Sequence, residues 1–171
     1  MKNVIKRIKN KEWLNQNNQN QFWNTLKMKI YNDMDMQGKN ILDIGPNVRS
    51  LASFFISKGA DLVVGYSLKK QYLRDPTHIH LREDVTPENI KSVRDNLIHI
   101  KFDILNIDCE GSEWNFTDEF IDRFDDWVIA LHSPNPALEK YMKENGNCLV
   151  KIDNEEYAIY RKNVGCFEVA K

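Results

Sequence analysis

The ten residues Leu105 to Trp114, LNIDCEGSEW, constrain the fold of this chain more than any others. Strand-forming residues lead in at Ile100, Phe102, Ile104, Leu105 and Ile107, and a helical pattern of Trp114, Phe116, Phe120 and Ile121 follows. Between the two stand three acids, Asp108, Glu110 and Glu113, around a single glycine. A buried parallel strand that ends in acids ahead of a helix delivers those acids to the carboxyl edge of a sheet. That edge is where open α/β sheets bind ligands.

The same grammar repeats along the chain. Asn40 to Ile44 reads as a buried strand stopped by Gly45, Pro46 and Asn47, and Ser50 to Lys58 as a helix with Leu51, Phe54 and Phe55 on one face. Asp61 to Tyr66 is a second strand and Lys69 to Leu73 a short helix. Ile79 to Leu81 is a weaker strand leading to Glu83 and Asp84, and Pro87 to Asn96 a helix behind Thr86. After the strand into Asp108 come a helix over Glu113 to Phe124, a fifth strand over Asp126 to His132 and a helix over Pro136 to Asn145. Cys148 to Ile152 and Tyr157 to Tyr160 form a hairpin about an acidic turn. Strands alternating with helices predict an α/β fold. Its sheet is mostly parallel, with right-handed crossovers, helices on both faces and a C-terminal β-hairpin at one edge.

A chain of 171 residues is the length of one such domain. We place the domain at 38–171 and a basic N-terminal helical extension at 1–37, where Phe22, Trp23, Leu26 and Ile30 fall at helical spacing. Residues 1–31 hold seven Lys/Arg and one Glu, a net of +6 that leaves −7 for the rest against the overall −1. Such a helix suits an anionic partner, while a solvated helix face accounts for the same charges. Cys109, Cys148 and Cys166 form no C-x-x-C pair, which argues against a disulfide framework and for a reducing, cytoplasmic setting. No run approaches the roughly 18 apolar residues of a membrane span, and the first residues lack the apolar core of a signal peptide.

Two places carry candidate chemistry. The turn from Asp43 through Gly45, Pro46 and Asn47 to Arg49 lies where a doubly wound sheet holds a nucleotide-like ligand. Gly45 allows backbone to come close to a ligand, and Asn47 offers both donor and acceptor. The turn is neither the G-x-G-x-x-G fingerprint nor a P-loop, and a tight turn with no ligand has the same pattern. In the acidic segment, alternation puts Asp108 and Glu110 on one face. Glu113 falls in the next helix as a start acid favoured by the macrodipole. A divalent metal on these acids is therefore not expected.

The order of elements and the two motifs resemble the S-adenosylmethionine (SAM)-dependent methyltransferases, specifically the FkbM-type family. Its members carry D-x-G-x-N-x-G after the first strand and I-D-x-E-G-x-E after the fourth. This chain has DIGPNVR at 43–49 and IDCEGSE at 107–113. The resemblance spans roughly residues 38–162 and implies a Rossmann-like methyltransferase sheet.

It also implies a site. Asp43, Gly45, Pro46, Asn47 and Asp108 would contact SAM, with Gly45 and Asn47 beside its methionine part, Ser67 at its ribose and Asp84 near the adenine amine. Asp108 and Glu110 would line the pocket where methyl group and acceptor meet, with His132 facing the same crevice. Asp108, Glu110 or His132 would take a proton from a hydroxyl acceptor on a small molecule or sugar. The pattern departs from the family at Arg49, which replaces the second loop glycine, and at Ser67, which replaces the acid that grips the ribose hydroxyls. The competing reading is a non-catalytic methyltransferase-like scaffold that binds a partner.

Overall fold

The structure, a computed structural model, describes residues 6–8, 30–45, 49–66, 78–81, 99–109, 112–132, 135–152 and 157–162. Among the described residues eight strands form one sheet: β1 (Lys6–Ile8), β2 (Asn40–Ile44), β3 (Leu62–Tyr66), β4 (His78–Leu81), β5 (Ile104–Ile107), β6 (Asp126–Leu131), β7 (Gly146–Ile152) and β8 (Tyr157–Lys162). Their order across the sheet is β1-β7-β8-β6-β5-β2-β3-β4. From β4 through β6 every pairing is parallel; β8 runs antiparallel to both β6 and β7. The mostly parallel sheet with a C-terminal hairpin is therefore present, its hairpin strands reaching 146–152 and 157–162.

Alternation along the strands sorts their side chains into two cores, one on each face. Ile41, Val63, Ile104, Val128, Ala130 and Ile159 point to the face covered by helix α1 (Arg49–Ser57) through Leu51, Ala52 and Phe55. Leu42, Ile44, Val64, Leu105, Ile107 and Ile129 point the other way, onto α2 (Asp118–Ile121) and α3 (Pro136–Asn145) through Ile121, Leu138 and Met142. A sheet buried on both faces needs strands apolar at nearly every position, and β5 is buried throughout. Among the described residues no helix is long and apolar enough to cross a membrane.

Two elements differ from the sequence expectation. The single helix over 113–124 is instead a 3-10 turn at Ser112–Asn115 followed by α2. The break falls at Thr117, whose extended backbone and side-chain oxygen cap the Phe120 N–H at 3.3 Å. Asp118 and Glu119 then stand in the first turn, where the helix dipole favours them. A local cap thus overrides the apolar periodicity that runs through both pieces.

The second difference is at the start of the chain. Lys6–Ile8 is a strand in place of helix, parallel to β7 with Lys6 opposite Val150 and Ile8 opposite Ile152. Ile30, Tyr31, Met34 and Met36 are buried in the α1-side core. Arg161, buried in β8, donates from Nη1 to the Ile30 carbonyl at 3.2 Å and pairs with Asp126. Where they are described, the residues before 38 pack as part of the domain. The aromatic positions Phe22 and Trp23 lie outside the described residues.

Candidate functional site at the carboxyl edge of the sheet

The chain leaves β2 towards β3 and β4 on one side, then returns to build β5 and β6 on the other. The carboxyl ends of β2 and β5 therefore form the switch point of the sheet, the position at which open α/β sheets leave a crevice. Asp108 follows β5 there, its N–H donating to the Ile44 carbonyl at 2.9 Å. Gly45 follows β2, its N–H donating to the Tyr66 carbonyl at 2.8 Å.

Gly45 has a φ of 79°, and a Cβ on it would lie 2.4 Å from the Asp108 carbonyl oxygen and 2.6 Å from Cys109 Cα. The close approach that glycine permits is thus made by the chain itself, turn against turn. It sets Asp108 beside the first βα turn.

The third βα connection completes the cluster. His132 follows β6, and Glu113 sits in the 3-10 turn that follows β5. One oxygen of Glu113, Oε1, takes the His132 backbone N–H at 2.6 Å and lies 2.8 Å from its ring Nδ1. The other ring nitrogen, Nε2, is 3.2 Å from Asp108 Oδ1. Cys109 Sγ donates to the second Glu113 oxygen at 3.6 Å. Glu113 is fully buried, whereas the Asp108 and His132 side chains keep 17% and 24% exposure. The open end of this chain of groups is therefore Asp108 and the Nε2 side of His132.

Their charges follow from those contacts. Burial disfavours a charged imidazole, but hydrogen bonds and Coulombic attraction from Asp108 and Glu113 outweigh it and hold the His132 pKa up at about 9. Burial likewise works against the Glu113 carboxylate, yet hydrogen bonds from His132 and from backbone N–H groups bring its pKa below the ordinary value. At neutral pH Glu113 and His132 therefore stand as an anion and a cation, with the Asp108 carboxyl on the other side of the imidazole.

A second polar chain lies in the α1-side core. Asn106 Nδ2 donates to Asp43 Oδ1 at 2.6 Å, and Tyr31 Oη donates to Asn106 Oδ1 at 2.6 Å. Asp43, Asn106 and Tyr31 are all buried. Asp43 is thus tied into the protein from β5 and from the leading segment.

Of the expected site residues, the structure brings Gly45, Asp108 and His132 together and places Asp43 at the end of β2. Pro46, Asn47, Ser67, Asp84 and Glu110 lie outside the described residues, and Arg49 is the first residue of α1. Glu113 is the residue that sequence reasoning undervalued. It does open the turn after β5, but its carboxylate faces inward to a histidine 19 positions on. The signal was available as a third acid of IDCEGSE together with a histidine closing the next strand.

No protein-family model matches the chain. It is 24% identical to uncharacterized protein 65 of Sulfolobus islandicus filamentous virus (isolate Iceland/Hveragerdi) over 73% of this chain and 80% of that protein. It is 25% identical to uncharacterized protein 158B of Sulfolobus islandicus rod-shaped virus 1 over 80% of this chain and 89% of that one. Among solved structures it is similar to one described as a ribosomal RNA methyltransferase from Plasmodium falciparum, with a TM-score of 0.59 at 15% identity over 82% of this chain and 93% of that one. The fold is a Rossmann-like methyltransferase fold.

Two further structures share it. The methyltransferase MycE of the mycinamycin biosynthetic pathway, solved in complex with Mg and SAH, gives a TM-score of 0.57 at 14% identity over 88% of this chain and 49% of its own. An RNA methyltransferase structure from Pyrococcus horikoshii gives 0.51 at 17% identity over 84% of this chain and 85% of its own. These likenesses establish the architecture. The FkbM-type resemblance rests on the motif residues at 43–49 and 107–113.

Proposed function

We propose that this protein is a SAM-dependent methyltransferase that methylates a hydroxyl oxygen on a small molecule or sugar. The observation that carries the reading is the placement of Asp108. Its backbone carbonyl lies against Gly45 at the switch point of a methyltransferase-type sheet, and its part-exposed carboxylate meets His132 Nε2 at 3.2 Å. The charge of the site fits the cofactor. Acidic groups at the crevice, Asp108 and Glu113, would complement a sulfonium cation. Gly45 and Asp108 would flank its methionine end, with Pro46, Asn47, Ser67 and Asp84 supplied by the adjoining turns.

SAM supplies a methyl group on a positively charged sulfur, which makes the methyl carbon electrophilic. The protein has to orient the acceptor and receive its proton. His132 keeps its own proton at neutral pH, so the resting base is Asp108 (or Glu110) and not the imidazole. The imidazolium donates to Asp108 and leaves that carboxylate a weak base. A weak base suffices when the hydroxyl becomes strongly acidic as its oxygen gains the methyl group. As the oxygen–methyl bond forms, the carbon–sulfur bond would break with its electrons going to sulfur, and the hydroxyl proton would pass to the Asp108 carboxylate.

Calorimetric titration with SAM and with its demethylated product tests the reading. We expect binding in the range typical of substrates, about 1 µM to 1 mM. Asp108→Asn should weaken SAM at least tenfold, because it removes an acidic group beside the sulfonium. Absence of binding to the unmodified chain overturns the proposal. It would favour the scaffold reading, in which Arg49 and Ser67 mark a site no longer used for cofactor.

A further inference from the structure

We infer that Glu113 is the positioning residue of this site: by holding the proton of His132 on Nδ1, it makes Nε2 the nitrogen that titrates, and aims it at Asp108. The significance for methyl transfer rests on the proposed function, but the proton placement itself does not. Three observations support it. Glu113 Oε1 already accepts the His132 backbone N–H, so this oxygen acts as an acceptor and Nδ1, 2.8 Å away, must be the donor. The carboxylate is fully buried, so water does not compete for it. The same oxygen holds the chain at residue 132 through the backbone N–H and the ring through Nδ1.

A neutral ring with its proton on Nδ1 would present the Nε2 lone pair to the Asp108 carboxylate, which repels it. The cluster avoids this by keeping a proton between Nε2 and Asp108 Oδ1. Glu113 thereby determines that His132 serves Asp108 as a hydrogen-bond donor and does not compete with it as a base. Among the described residues, the groups facing the imidazole are Asp108 after β5 and Glu113 in the 3-10 turn, with Cys109 reaching Glu113 from behind. The elevated proton affinity of His132 agrees with this arrangement.

The test is a long-range proton–nitrogen correlation titration of the ¹⁵N-labelled full chain without cofactor. His132 is assigned by its loss in His132→Asn against His78, His80 and His99. In the unmodified chain the neutral ring should be the Nδ1–H tautomer, appearing only well above pH 6.5. Glu113→Gln keeps an acceptor oxygen but loses the charge. It should lower the midpoint by about one unit or more and retain the tautomer. Asp108→Asn should also lower the midpoint and retain the tautomer. Glu113→Ala should release the tautomer to Nε2–H. Should Glu113→Ala not fold, the two amide variants and the unmodified chain still decide the matter. An Nε2–H neutral form in the unmodified chain, or an unmoved midpoint in Glu113→Gln, overturns the inference. Neither result depends on whether SAM binds.

Discussion

A single carboxylate oxygen of the fully buried Glu113 meets both the backbone N–H and the ring Nδ1 of part-buried His132, at 2.6 and 2.8 Å. It fastens the turn after β5 to the end of β6 beside the crevice. Removing the carboxylate takes the acceptor from the part-buried His132 N–H and one of the two acids from its ring. Glu113→Ala should therefore cost about 3–5 kcal/mol, as for other broken buried pairs. Glu113→Gln, which can still accept, should cost about 1–3 kcal/mol. Urea denaturation at neutral pH measures both, and equal costs would show that charge plays no part.

The same pair predicts how stability varies with pH. His132 binds its proton more tightly when folded, with a pKa near 9 against an ordinary 6.5. Its contribution is complete below pH 6.5 and is lost as pH rises from there through about 9. Glu113 is shifted the other way, so its contribution is present above its ordinary 4.5 and lost as pH falls through the lower folded value. Thermal melting between pH 6 and 10 should show a decline that His132→Asn removes. A decline of the same size in that variant would assign it to other groups.

Glycine at 45 is required twice over, once by its φ and once by the backbone opposite. Gly45→Ala should cost about 2–5 kcal/mol, combining left-handed strain with a Cβ set 2.4 Å from the Asp108 carbonyl oxygen. Gly38 has a similar φ of 67° but nothing within 4 Å of a built Cβ. Gly38→Ala should cost only the conformational part, about 1–2 kcal/mol. Chemical denaturation of the two variants separates strain from contact, and a matching loss would deny the turn-to-turn contact any weight.

Tyr31 links the leading segment to the centre of the sheet. Tyr31→Phe leaves Asn106 Oδ1 without the hydroxyl 2.6 Å away and should destabilise by about 1–3 kcal/mol. For a chain of this size that corresponds to a melting shift of several degrees. Because Asn106 also holds Asp43, the double variant Tyr31→Phe/Asn106→Leu should lose less than the two single losses added. Strict additivity would mean that the three groups do not act as one chain.

Much of this architecture was legible in the residues. Runs such as Ile41–Ile44, Val63–Tyr66 and Ile104–Ile107 are apolar at almost every position, as strands covered on both faces require, and all three are buried. Asn135 and Pro136 marked the start of α3, where Asn135 caps the Leu138 N–H. The motif at 107–113 pointed to the carboxyl edge, and Asp108 lies there beside Gly45. Lys6–Ile8 differs from the helical expectation because basic residues spaced along a short apolar run suit a helix and an edge strand equally. Only pairing with β7 decides between them.

What the sequence determined by itself is therefore the local alternation, the caps and the kind of residue delivered to each strand end. These depend on neighbours two to four positions away, and the backbone geometry of strand and helix sets them directly. The tertiary structure alone decided which strand ends meet. Sheet order brought Gly45 to Asp108 across 63 positions and His132 to Glu113 across 19. It also decided the chemistry of those groups. Glu113 could have stayed a solvated acid at the start of a turn, and His132 an ordinary base. Burial beside each other, which no local pattern specifies, made one a fixed acceptor and the other a cation.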